Sequence, residues 1–134
     1  AFLNEEGRCT IHAFRPGFCR LFPLGRIYED GSFSYYLQSQ ECTKANRTKV
    51  KVNKWLGIPD LKQYENFVNE WHYFLKDTKA LLLRLSDARL NQELSMYLLN
   101  RFYTTAFDLE SDFYKQFDER MTQMKKLIYT LDRQ

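Results

Sequence analysis

The sequence predicts an α+β fold: a small lobe of β-hairpins and a cysteine knuckle, followed by an antiparallel bundle of about three helices. Three observations predict it. All five glycines and all three prolines fall within the first 59 residues. Inside that part, two runs of strand formers flank an Asp-Gly turn signal. Beyond it, apolar residues recur at spacings of three, four and seven. The expected organisation is therefore a hairpin and cysteine-knuckle lobe with a short basic helix over residues 1–59, and a helical bundle packed on it over residues 60–134.

Phe2 to His12 reads as a small hairpin with Asn4-Glu5-Glu6-Gly7 at its turn. Pro16 and Pro23 forbid a continuous helix across the next stretch, and Gly17 after Pro16 invites a tight turn. The expectation is an extended piece at Cys9 to His12, a turn at Arg15 to Gly17 and a second extended piece from Cys19. Leu24 to Tyr28 and Phe33 to Gln38 form a clearer hairpin around Glu29-Asp30-Gly31-Ser32. Phe33, Tyr35 and Leu37 alternate with polar or outward neighbours, as in a half-buried strand. In Gly57-Ile58-Pro59-Asp60, Gly57 can close one helix, Pro59 bars its continuation and Asp60 can cap the next.

Tyr64, Phe67, Val68, Trp71, Phe74, Leu75, Leu82 and Leu85 define an amphipathic helix of about 25 residues. Ser86-Asp87 offers a join or a kink. Leu90, Leu94, Tyr97, Leu98, Phe102 and Phe107 define a second helix. Phe113, Phe117, Met121, Met124, Ile128 and Leu131 define a third. Short connections make these antiparallel neighbours. Met96, Met121 and Met124 read as core filling. Trp71 is on the apolar stripe, so His72 should point about a quarter turn away, toward the rim or solvent. Apart from Glu65 and Glu70 at poor angles it has no cysteine or carboxylate at ligand spacing, and it reads as structural.

A chain of 134 residues is long enough for a real core, and 44% hydrophobic with 16% aromatic residues is globular. No apolar run approaches the ~18 residues of a membrane span. With no secretory leader read in it and an odd, low cysteine count, a reducing cytoplasmic setting is expected. The net charge of +3 does not demand nucleic acid. The positive excess lies in residues 1–59, largely in Lys44, Arg47, Lys49, Lys51 and Lys54. That run reads as a solvated helix face beside Trp55 and Leu56, with an anionic partner as the functional alternative. Asn46-Arg47-Thr48 fits a glycosylation triplet, which means little without a leader.

The chemistry-bearing stretch runs from Gly7 to Pro23. With the third cysteine the spacing is C-x2-H-x6-C-x22-C, through Cys9, His12, Cys19 and Cys42. Thiolates and imidazole are zinc ligands, and thiolates also hold iron–sulfur clusters. The spacing fits no standard zinc finger, and three buried small hydrophobes or a single disulfide are the other readings. Arg8, Arg15 and Arg20 each lie within four residues of a cysteine; such guanidinium groups would offset a thiolate centre, or are plain surface arginines.

Phe2-Leu3-Asn4-Glu5-Glu6-Gly7-Arg8-Cys9-Thr10-Ile11-His12, then Arg15-Pro16-Gly17-Phe18-Cys19-Arg20-Leu21-Phe22-Pro23, resembles the YkgJ-type cysteine-cluster family of zinc- or iron-chelating proteins. The resemblance continues to Cys42. It implies metal ligation by Cys9, Cys19 and Cys42, with further cysteines from a run ahead of the Phe-Leu segment. At position 12 the family pattern takes tyrosine as readily as histidine, so His12 is expected as a packed or hydrogen-bonding neighbour. The sulfurs should face inward on a common centre, with Arg15 or Arg20 close by.

Three functions follow as expectations. The first is a metal-binding protein holding zinc or an iron–sulfur cluster. The second, implied by resemblance to the flagellin lysine N-methylases, is a methyltransferase coupling a cluster to S-adenosylmethionine. The third is an interaction module in which metal staples a lobe that presents aromatic and basic residues to a protein partner.

Overall fold

A computed structural model describes residues 2–41, 48–85 and 87–131. Helix α1 is Gly17–Leu21, strands β1 and β2 are Leu24–Glu29 and Ser32–Leu37, and helix α2 is Val52–Leu56. Three longer helices follow: α3 over Leu61–Arg84, α4 over Ala88–Leu99 and α5 over Phe113–Leu131. A hairpin followed by helices is the α+β architecture the sequence predicts. No helix among the described residues is long and apolar enough to cross a membrane. The chain divides into two compact units, Ala1–Asn69 and Glu70–Gln134, with the division inside α3.

In the first unit the two strands pair antiparallel, from Leu24 opposite Leu37 to Glu29 opposite Ser32. Asp30 (φ 49°) and Gly31 (φ 76°) make the turn with two positive φ angles, the type I′ geometry whose twist suits a two-residue hairpin. Phe33 and Tyr35 are half-buried while Ser32, Ser34 and Tyr36 are exposed, as the alternation predicts; Leu37, at the strand end, is exposed as well. The expected hairpin at Phe2 to His12 is shorter than predicted, a single bridge between Leu3 and Cys9. The side chain of Asn4 closes it by accepting from the backbone N–H groups of Glu6 and Arg8.

Helices α1 and α2 pack together, burying Leu21 and Leu56. The indole of Trp55 donates to the carbonyl of Phe22 at 3.1 Å. Gly57 ends α2 in the left-handed conformation (φ 60°) and returns its N–H to Asn53. Asp60 caps α3 through the N–H of Gln63. Of the basic run, Lys49, Lys51 and Lys54 are exposed; Lys44 and Arg47 lie outside the described residues.

In the second unit Asp87 caps α4 by accepting from the N–H groups of Arg89 and Leu90. The amide of Asn91 donates to the carbonyls of Leu82 and Leu85, closing the end of α3. Trp71 meets Phe102 at 4.7 Å between ring centroids. These residues lie at similar distances from the joint at 85–87, so α3 and α4 run antiparallel. Phe117 of α5 joins the same cluster, 5.6 Å from both rings.

The buried face of α3 runs through Phe74, Thr78 and Leu81. Thr78 is the polar residue that hides this stripe from an apolar count, and Leu81 rather than Leu82 continues it. Met121 and Met124 are fully buried as expected, whereas Met96 is exposed. His72 sits edge-on to Tyr73.

The second helix of the bundle ends earlier than its apolar spacing implies. After Leu99 the chain widens into a π turn, Asn100–Thr104, and Phe107 lies beyond it. Arg120 fixes that ending. It is buried, and it donates to the carbonyls of Arg101, Thr105 and Ala106 at 2.7–2.9 Å. A cation among helix-terminal carbonyls is favourable by charge and by hydrogen bonding. Asp108 organises the loop that follows, where the Ser111 hydroxyl and the Glu110 N–H hold its carboxyl below the usual range.

Candidate functional site

Cys9 lies on the returning arm of the Asn4-closed loop, opposite Leu3. The chain then makes a 3-10 turn over His12–Phe14. Arg15 and Pro16 are extended, and Pro16 opens α1. Cys19 therefore stands on one turn of helix, where the sequence predicted an extended piece. The change has a local cause: Pro16, with φ −59° and no N–H, suits the residue just before a helix, and five residues are too few to reveal a helical period.

The turn is fastened from two sides. The side chain of Arg20 donates to the carbonyl of Arg15 at 3.1 Å and to that of Gly57 at 3.3 Å. Gly17 lies so close to Tyr64 that an added Cβ would come within 2.6 Å of the hydroxyl. Tyr64 is itself held by a hydrogen bond from Arg26 at 2.9 Å. The guanidinium of Arg26 sits over the rings of Phe33, Tyr35 and Tyr64 at 5.3–5.8 Å. Burial acts against its charge, but the phenol oxygens of Tyr64, Tyr28 and Tyr35 outweigh that and hold its pKa above the ordinary value.

Cys9 and Cys19 are both free thiols and both exposed. This corrects the expectation of inward-facing sulfurs. Among the described residues no three His, Cys, Asp or Glu side chains converge to hold a metal ion, so Cys9, His12 and Cys19 alone do not make a site. Cys42 lies outside the described residues. His12 is exposed, and its Nε2 lies 3.2 Å from the guanidinium of Arg15. Arg15 engages His12 and Arg20 engages two carbonyls, and each guanidinium keeps further N–H donors.

Around the two thiols the lobe is unusually apolar on its outside. Phe14 is 86% exposed and Phe18 84%, and Phe2, Leu3 and Phe22 are exposed too. Composition gave no sign of this, because a Phe-rich stretch reads as core until its neighbours are known. No family model, curated protein or solved structure matches the chain.

Proposed function

We propose that the amino-terminal unit binds a thiophilic metal centre, zinc or an iron–sulfur cluster, with Cys9, Cys19 and Cys42 supplying thiolates. The observation that carries it is the pair of free, solvent-facing thiols on either side of one hydrogen-bonded turn. Exposed thiols can take a metal from solution, whereas thiols sealed in apolar pockets cannot. The resemblance of the Arg15-Pro16-Gly17-Phe18-Cys19-Arg20 stretch to YkgJ-type proteins supports the same reading. Metal analysis with a visible spectrum tests it: zinc is spectroscopically silent, and a cluster absorbs broadly through sulfur-to-iron charge transfer. Purified chain with neither metal, taking up neither on reconstitution, overturns it.

A second reading is favoured by the exposed phenylalanines. Phe14, Phe18 and Phe22 flank Cys19 in sequence, and exposed apolar patches mark interaction surfaces. In that reading the metal staples the turn and the rings meet a protein partner. Replacing Phe14 and Phe18 with serine would then abolish partner capture while leaving metal content unchanged.

A further inference from the structure

Within the first unit, β2 and the start of α3 line a pocket of about 280 Å³ with Ser32, Phe33, Tyr35, Glu65, Asn66 and Asn69. Its polar groups are unevenly satisfied. Asn69 donates its amide to the carbonyl of Gly31 at 2.7 Å, which leaves Oδ1 to accept; that oxygen is buried and has no partner. The hydroxyl of Tyr35 is also buried without a hydrogen-bond partner. Burial first, and the Glu65 carboxylate second, push the Tyr35 phenol up to about 12. Glu65 acts there first as an acceptor close to the phenol and then by its charge, while Arg26, close to the same hydroxyl, acts in the opposite direction. Neither contact reaches normal hydrogen-bond geometry. Among the described residues it pairs with no cation, Arg26 included.

The buried Asn69 oxygen thus stands without a donor beside the Glu65 carboxylate and the Tyr35 phenol, which Glu65 and Arg26 approach without completing a hydrogen bond. Buried acceptors in that condition call for a ligand rich in N–H donors. Aromatic walls add attraction for a cation on the faces that the Arg26 guanidinium leaves open, and the Glu65 carboxylate offsets the like charge of that guanidinium. We infer that this pocket binds an alkylammonium group, with Glu65 offsetting its charge, Asn69 Oδ1 and Tyr35 Oη accepting its N–H donors and Phe33 against its carbon stem. Such a group carries three donors and one positive charge. The pocket's volume suits the head and a short stem rather than a large molecule. A free diamine and a lysine side chain share this chemistry.

The test is calorimetric titration of the full chain with 1,4-diaminobutane, Nα-acetyl-lysine amide and 1-butanol. Saturable binding of either amine, with none of butanol, is expected. Tighter binding of the diamine identifies a free polyamine as the source, and tighter binding of the lysine derivative identifies a peptide. Glu65→Gln should weaken amine binding about tenfold or more, by removing a charge-assisted partner. Tyr35→Phe should weaken it by a smaller factor. No saturable binding of either amine, equal binding of butanol, or unchanged affinity in either variant with native circular dichroism overturns the assignment.

Discussion

The guanidinium of Arg15 lies 3.2 Å from Nε2 of His12. Arginine has donors only, so where the two side chains are hydrogen-bonded Nε2 is the acceptor. The lone pair a metal would need at Nε2 is then already engaged. His12→Gln should leave the metal content per chain unchanged, measured by elemental analysis of the purified protein. A fall as large as that from Cys19→Ser would make His12 a ligand.

The seating of α1 on Tyr64 leads to a stability prediction. A methyl group at position 17 meets a ring fixed by Arg26, whereas at position 25 it meets Tyr36, which is 44% exposed. Overpacking against a held group costs about 1–3 kcal/mol. Gly17→Ala should therefore lower the urea midpoint more than Gly25→Ala, with an unchanged m-value. An equal or reversed order would mean that Tyr64 is free to move.

Much of the local structure was legible because single residues dictate it. Asp30-Gly31 forced the hairpin, Gly57 the left-handed helix end and Asp60 a helix start; Asp87, read only as part of a join, caps the next helix. What was not legible depends on partners distant in sequence. Cys9 and Cys19 were read as inward-facing because a common metal centre would require it, and nothing local says otherwise. Tyr35 and Glu65 meet only because β2 faces α3, thirty residues later. Nothing near Arg120 in sequence points to its role, because the three carbonyls it meets come from the π turn and the residues after it.

Tyr35 should leave a mark on the pH dependence of stability. Its folded pKa, about 12, stands above the ordinary value of 10.0 in the unfolded chain. The neutral phenol's contribution is then fully present below pH 10 and is lost as pH rises toward 12. Thermal unfolding followed through that window should show a loss that Tyr35→Phe reduces. Identical alkaline profiles for the two proteins would contradict the assignment.

Arg120 should be the most sensitive charged position of the second unit. Its ring partner is Phe107, 3.7 Å from the guanidinium carbon to the centroid, and its hydrogen bonds close the π turn. Arg120→Met keeps the apolar stem but leaves the carbonyls of Arg101, Thr105 and Ala106 without this donor. A loss on the order of 3 kcal/mol is expected, since each stranded buried acceptor costs about 1–3 kcal/mol and relaxation recovers part. Guanidinium denaturation measures it, and a change below about 0.5 kcal/mol, typical of an ordinary surface site, would refute it.

The exposed thiols allow the metal proposal to be tested without unfolding the chain. Substitution at an exposed position usually changes stability by no more than about 0.5 kcal/mol, so Cys9→Ser and Cys19→Ser should both fold. Metal-free protein should be alkylated at both positions in the absence of denaturant, because neither sulfur is shielded. Bound metal requires ionised, coordinated sulfur and should block the reagent until a chelator is added. Each serine variant should lose metal while the circular dichroism of the helices is kept. Alkylation at the same rate with and without added zinc or reconstituted iron and sulfide would leave Cys9 and Cys19 as ordinary surface thiols.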